Sequence, residues 1–93
     1  MNETQTFNNV WDALEDDTAE RESLKIKSRM MMEIEQHLKE HKLTQTQAAK
    51  MMHVTQPRIS DLINGKIDKF TIDMLITMLA RLELHVEVTL KAA

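Results

Sequence analysis

The sequence has no cysteine and no tyrosine, and it holds one glycine, one proline, one tryptophan and two phenylalanines among 93 residues. Without cysteine, neither a disulfide framework nor a thiolate metal site can form. No stretch approaches the roughly 20 apolar residues of a membrane span, and the N-terminus lacks the basic region and apolar core of a secretory signal. We therefore expect one small cytoplasmic domain with no membrane association.

The net charge of −3 is divided unevenly along the chain. Residues 1–22 hold seven acidic side chains and one basic one, whereas residues 23–93 hold eleven basic and eight acidic ones. An acidic arm thus precedes a mildly basic body. A solvated leader would explain the acids, but the arm also carries one apolar helical face, which suggests docking on a basic partner. The residues of this face are Phe7, Val10, Trp11 and Leu14.

The body is expected to be mainly helical, because glycine and proline are rare and Leu, Met, Lys, Glu and Gln are abundant. A first helix is predicted from about Ala19 to His41, with an apolar face of Leu24, Met31, Ile34 and Leu38 flanked by Ile26 and Met30. Thr44 and Gln47 have the spacing of a capping box. They would start a second helix that carries Ala48, Ala49 and Met52 and ends at His53.

Two further helices are predicted. Thr55 is a candidate N-cap, Pro57 falls in the first turn of the helix, and Gly65 suits the left-handed position that ends it. The expected buried residues of this helix are Ile59, Leu62 and Ile63. Thr71 is expected to cap the last helix, with a core stripe of Ile72, Leu75, Ile76, Leu79 and Leu82.

The pattern changes period at the C-terminal end, where apolar and polar residues alternate strictly. The apolar positions are Leu84, Val86, Val88 and Leu90, which predict a half-buried strand over residues 84–91. A lone strand leaves its backbone unpaired, so we expect the same strand of a second copy to pair with it in a homodimer. Docking on the sheet edge of another protein is the alternative. The chain would thus comprise an arm (1–22), a body (23–83) and a dimerisation strand (84–91).

Two short helices at roughly 45–52 and 56–63, joined by a tight turn, have helix-turn-helix spacing. In that arrangement the second helix enters the major groove of DNA. Gln can pair with adenine, Arg can pair with guanine or grip a phosphate, and a proline ring can touch a thymine methyl. The residues expected to face DNA are Gln45, Gln56, Pro57, Arg58, Ser60 and Asp61, with Lys66 and Lys69 within reach of the phosphate backbone.

Residues 43–66 resemble the Xre/phage-repressor class of helix-turn-helix. The matching residues are Leu-Thr-Gln-x-x-x-Ala, then Val-Thr-Gln-Pro-Arg-Ile-Ser-Asp-Leu, then Asn-Gly-Lys. More narrowly, the chain resembles the short antitoxins of HigA type in Asn9-Val10-Trp11, in residues 24–28, in Gly65-Lys66-Ile67 and in the helix over residues 70–82. Two departures are His53, where the turn usually has glycine, and Leu84-His85, where a glycine usually follows the last helix.

The resemblance implies a five-helix, lambda-repressor-like fold that binds operator DNA as a dimer and represses its own operon. It also implies a partner toxin, a small basic RelE/HigB-like ribonuclease that cleaves mRNA. A stand-alone or phage-type Xre regulator without a toxin is the alternative. By position, the resemblance adds Asn64 near phosphate, so the candidate DNA-binding set is Gln45, Thr55, Gln56, Pro57, Arg58, Ser60, Asp61, Asn64 and Lys66.

Enzymatic chemistry finds little support in the sequence. No nucleophile with a plausible base and no glycine-rich phosphate loop is visible, so we expect no enzyme, no cofactor and no small-molecule ligand. Glu33, His37 and His41 recur every four residues and would share a helix face, which permits a metal site. An exposed charged face is the simpler interpretation, and no metal is predicted. The eight methionines are expected mainly to fill the core.

Overall fold

The computed structural model describes residues 17–92. This part of the chain holds four α-helices, α1 (Thr18–Glu40), α2 (Gln45–Met52), α3 (Gln56–Ile63) and α4 (Ile72–Arg81), and a 3₁₀ turn at Ile67–Lys69. The predicted helical character is confirmed, but these residues hold four α-helices and not the five implied by the resemblance. The apolar face Phe7, Val10, Trp11 and Leu14 lies outside the described residues. Residues 18–22, assigned to the arm by charge, are the first turns of α1.

Side-chain caps explain where three of the helices begin. Asp17 accepts a hydrogen bond from the Glu20 amide at 3.0 Å, and Thr71 accepts one from the Met74 amide at 3.1 Å. At α2 the capping box forms in full. The Gln47 amide donates to Thr44 Oγ1 at 3.1 Å, and the Thr44 amide donates to Gln47 Oε1 at 2.8 Å. Amides that lack a partner inside the helix are thereby satisfied.

All four helices end in the same backbone motif. The first or second residue after each helix has a left-handed backbone, with φ of 54° to 71° at Lys42, His53, Gly65 and Glu83. Its amide and the next one then return to carbonyls near the helix end, as in a Schellman motif. His53 therefore adopts the left-handed conformation that glycine usually supplies in this turn. After the last helix that conformation falls on Glu83 and not on Leu84-His85, the pair that the resemblance indicated.

The core lies between the four helices. α1 packs against α3, α4 and the 3₁₀ turn, and α2 packs against α3 and α4. Fourteen apolar residues are buried: Met30, Met31, Ile34, Leu38, Ala48, Ala49, Met52, Ile59, Leu62, Phe70, Leu75, Met78, Leu79 and Leu82. Four methionines are thus in the core, while Met32 and Met51 are exposed. No polar or charged residue between positions 17 and 92 is buried, so apolar packing stabilises this core. None of the helices described is long and apolar enough to cross a membrane.

Four predicted core residues are wrong. Leu24 and Ile26 are exposed because they lie in the N-terminal half of α1, ahead of its first buried residue, Met30. Ile63 and Ile76 are 39% and 38% exposed. Each comes directly after a buried leucine. Because successive residues of a helix point about 100° apart, a helix that packs on one face leaves the second residue of such a pair exposed to solvent.

The predicted strand at residues 84–91 is absent from the described chain, in which this segment has no regular secondary structure. The Leu84 amide donates to the Leu79 carbonyl at 2.9 Å, but beyond it no backbone group of residues 85–92 bonds to the backbone of another described residue. A strand needs a neighbouring strand to complete its ladder, and these residues offer none. Pairing across a dimer remains a prediction.

Candidate nucleic-acid interface

The helix-turn-helix unit consists of α2, the three-residue turn His53-Val54-Thr55, and α3. The left-handed His53 reverses the chain, and the Val54 amide donates to the Ala49 carbonyl at 3.0 Å. α2 and α3 pack against each other, and Ala48 on α2 is fully buried, so its small side chain takes little room in the core. The crossing of α2 and α3 is therefore fixed by backbone geometry and by packing together.

Arg81 ties this turn to the rest of the domain. Its Nη1 donates to the Met52 carbonyl, at the end of α2, at 3.1 Å. The bond joins residues 29 positions apart and is partly buried. Sequence patterns gave no signal for this contact, since an arginine in the last turn of a helix is ordinarily explained by the helix dipole.

The first turn of α3 is open to solvent. Thr55, Gln56 and Pro57 are exposed. Thr55 occupies the N-cap position as predicted, but its side chain makes no capping hydrogen bond, unlike those of Thr44 and Thr71. Free groups at a helix N-terminus favour an anion such as a phosphate oxygen. The polar side chains of Thr55 and Gln56 are thus exposed at this end of α3, and Thr55 does not cap the helix.

Further along α3, the polar residues interact with one another. Asn64 Nδ2 donates to Ser60 Oγ at 3.4 Å, and Lys66 Nζ lies 3.9 Å from Asp61 Oδ1. Pro57, Ser60 or Asp61, and Asn64 recur every three or four residues, so they share the face opposite the buried Ile59 and Leu62. This spacing makes α3 amphipathic, with a polar outer face of the kind that meets base edges.

Arg58 differs from the other predicted residues. It is half-buried, its Nη1 donates to the Lys69 carbonyl at 2.9 Å, and its guanidinium carbon lies 5.6 Å from the centre of the Phe70 ring. Both contacts direct the side chain toward the 3₁₀ turn rather than out from the polar face of α3. The ring under Arg58 was missed at the sequence level, because nothing local links residues eleven or twelve positions apart.

Gln45 is the first residue of α2 and is half-buried, next to the capping box. All nine predicted DNA-binding residues lie on α2, α3 or the ends of α3. Charge also concentrates there, since residues 42–70 hold five basic side chains and two acidic ones. The net +3 of the body is therefore carried by this segment. A positive surface around a polar helix suits duplex DNA.

The alternative metal site finds no matching geometry. The rings of His37 and His41 stack with centroids 4.1 Å apart, and His41 Nδ1 lies 3.0 Å from the His37 carbonyl oxygen. Glu33 is instead paired with Arg29 at 3.0 Å. Residues 17–92 contain no group of three or more His, Asp or Glu side chains arranged to hold a metal ion.

Comparison with known proteins agrees with this architecture. The family model described as "Helix-turn-helix domain" matches residues 13–91, and the chain belongs to that family. It is also similar to a solved structure of a protein named provisionally as an XRE family transcriptional regulator. The two share 27% identity with a TM-score of 0.74 over 80% of this chain and 83% of the other. No curated protein matches the chain.

Proposed function

We propose that this helix-turn-helix protein is a sequence-specific DNA-binding transcriptional regulator that inserts α3 into the major groove. One observation carries the proposal: α3 has its apolar residues sealed in the core while its first turn and outer face remain polar and accessible. The similarity to a protein named as an XRE family regulator supports the same conclusion.

Each predicted DNA-binding residue other than Arg58 has a role in this proposal. Gln56, at the open N-terminus of α3, is the candidate base reader, because an amide can bond adenine in a bidentate manner. Pro57 offers an apolar contact to a thymine methyl, and Ser60 and Asp61 face the groove further along. Thr55, Gln45, Asn64 and Lys66 lie at helix ends, where phosphate contacts position the protein without reading sequence.

The test is selection from a random duplex library, followed by affinity measurements on the selected and on unrelated duplexes. Gln56→Ala should lower the preference for the selected duplex by about 1–3 kcal/mol. Lys66→Ala should weaken both duplexes alike and reduce the salt slope by about 1. Exposed Lys39, on α1 and outside both the DNA interface and the proposed dimer segment, provides the matched control Lys39→Ala. Selection that enriches no sequence would contradict the proposal.

A homodimer formed through residues 84–91 is the second part of the proposal. Exposure of the alternating apolar residues rises along this segment, from 38% at Val86 to 74% at Val88 and 89% at Leu90. Beside it lies a groove of about 560 Å³, with Ile26 and Met30 on the α1 side. A second copy supplies the same segment and can complete the ladder about a two-fold axis. Two α3 helices would then meet half-sites about one turn (~34 Å) apart.

Antitoxin activity is the finer proposal. It rests on the resemblance to HigA-type antitoxins and on the acidic residues 1–22 with their apolar face, which suit a basic RelE/HigB-like toxin. Co-purification with the product of an adjacent small reading frame tests it. Removal of residues 1–16 keeps the Asp17 cap of α1, so it should spare DNA binding and weaken capture of that product. A stand-alone regulator would instead purify without such a partner.

A further inference from the structure

The segment of residues 66–69, between α3 and α4, is attached to α3 by three separate contacts. The Lys66 amide donates to the Asp61 carbonyl at 3.0 Å, and Lys66 Nζ lies 3.9 Å from Asp61 Oδ1. Arg58 Nη1 donates to the Lys69 carbonyl at 2.9 Å. The first two contacts hold the beginning of the segment. Arg58 alone, by a hydrogen bond, joins its far end to α3.

The Arg58 contact uses properties that lysine lacks. A planar guanidinium can lie over an aromatic ring and donate in its own plane at the same time. Here it lies over Phe70, which is buried, and donates to the carbonyl that immediately precedes this residue. The Lys69 amide itself donates to the Lys66 carbonyl at 3.0 Å, which carries the restraint back along the turn.

Lys66 and Lys69, by contrast, have exposed side chains. They lie at the two ends of the turn that Arg58 fixes, next to the end of α3. A phosphate contact depends on where a lysine stands relative to the reading helix, because flexible placement costs conformational entropy on binding. The fixed turn is therefore a means of presenting both lysines in a defined place.

We infer that Arg58 is a positioning residue, which fixes Lys66 and Lys69 against the DNA backbone and does not itself read a base. The inference rests on the proposed DNA binding and deepens it. It gives α3 two kinds of residue. Gln56 can contact bases in the groove, whereas Arg58 holds the 3₁₀ turn in place. Loss of Arg58 should then resemble loss of the two lysines.

The first experiment requires no DNA. Arg58→Lys keeps the charge, and Arg81→Lys removes the other arginine–carbonyl contact as a matched control. Amide hydrogen exchange of residues 66–70 should accelerate about tenfold or more in Arg58→Lys and stay unchanged in Arg81→Lys, as expected when a local restraint is lost. Unchanged exchange at residues 66–70 in Arg58→Lys would overturn the inference, whether or not the protein binds DNA.

The second experiment is a double-mutant cycle on DNA affinity, with values corrected for the folded fraction. Arg58→Lys should weaken selected and random duplexes equally, by about fivefold to tenfold, while the Lys66→Ala/Lys69→Ala pair lowers the salt slope by about 2. Added to that pair, Arg58→Lys should have no further effect, since coupled residues are not additive. Additive losses, or a lower preference for the selected duplex, would make Arg58 a direct contact and overturn the inference.

A stability role alone predicts a different outcome. Arg58→Lys would then lower the free energy of unfolding but leave the corrected affinity and the salt slope as in the parent protein, which also overturns the inference. Failure of the parent protein to bind any duplex would overturn the proposed function together with the DNA role of Arg58. The exchange measurement distinguishes that case, because it reports the restraint on the turn independently.

Discussion

Backbone hydrogen bonding differs sharply between residues 43–84 and residues 85–92. In the first region, side chains cap two of the three helix starts, at Thr44 and Thr71, and returning amides close all three helix ends. In the second, no backbone group bonds to the backbone of another described residue, and apolar side chains become more exposed toward the end. Pairing with another strand would lower the free energy of such a segment, because it would satisfy the unpaired backbone groups and cover the alternating apolar side chains. One region is complete within the chain, and the other is suited to a second chain.

The largest expected effect on the free energy of unfolding comes from comparing one leucine in each region. Leu75 is fully buried and Leu90 is 89% exposed. Leu75→Ala removes core contacts and should lower the free energy of unfolding by about 3 kcal/mol. Leu90→Ala should change it by less than about 0.5 kcal/mol in the monomer. Urea denaturation at concentrations where sedimentation shows monomers gives both values, and comparable losses would contradict the distinction between the regions.

The capped helix boundaries were predictable from the sequence because their causes are local. The capping box joins Thr44 and Gln47, which are three positions apart, and Gly65 ends α3 within one turn. Thr71 likewise caps α4. Such hydrogen bonds join neighbours in sequence, so residue type and spacing contain the whole of the information.

Features that depend on packing were predicted only in part, although most of the expected core residues are buried. Apolar character alone did not distinguish Ile63 and Ile76 from the buried leucines before them. The arginine contacts span eleven residues at Arg58 and 29 at Arg81, and no local pattern connects such positions. Residue type placed Arg58 among the DNA-facing residues, and only tertiary contacts show where its guanidinium is directed.

The second prediction breaks the proposed pairing of the C-terminal segments. Val86→Lys together with Val88→Lys puts two charges on the apolar side, where burial without a partner is costly. Dimer affinity should fall by about 2 kcal/mol, with little change in monomer stability. His85→Lys with Thr89→Lys adds lysines on the polar side and is the control. Sedimentation equilibrium measures both, and a dimer that tolerates the valine changes would exclude this segment as the interface.

The third prediction concerns Gly65, which ends α3 with φ of 71°. A Cβ at this position would meet nothing within 4 Å, so only backbone conformation opposes a side chain. Gly65→Ala should therefore lower the free energy of unfolding by about 1 kcal/mol, from the strain of a left-handed alanine. Gly65→Asn should cost less, since asparagine tolerates this conformation. Equal losses in the two variants, measured by urea denaturation, would point to a cause other than φ.

The smallest effect is expected at Glu83, the left-handed residue that follows α4 two positions before the second region. Glu83→Gly relieves strain in the folded chain but also increases the conformational freedom of the unfolded chain, so the two effects nearly offset. The monomer should change by less than about 0.5 kcal/mol in thermal or urea unfolding. The same change loosens the direction in which residues 85–92 leave α4, so dimer affinity should fall more than monomer stability. A loss confined to the monomer would mean that Glu83 serves only to end α4 and has no part in presenting the C-terminal segment.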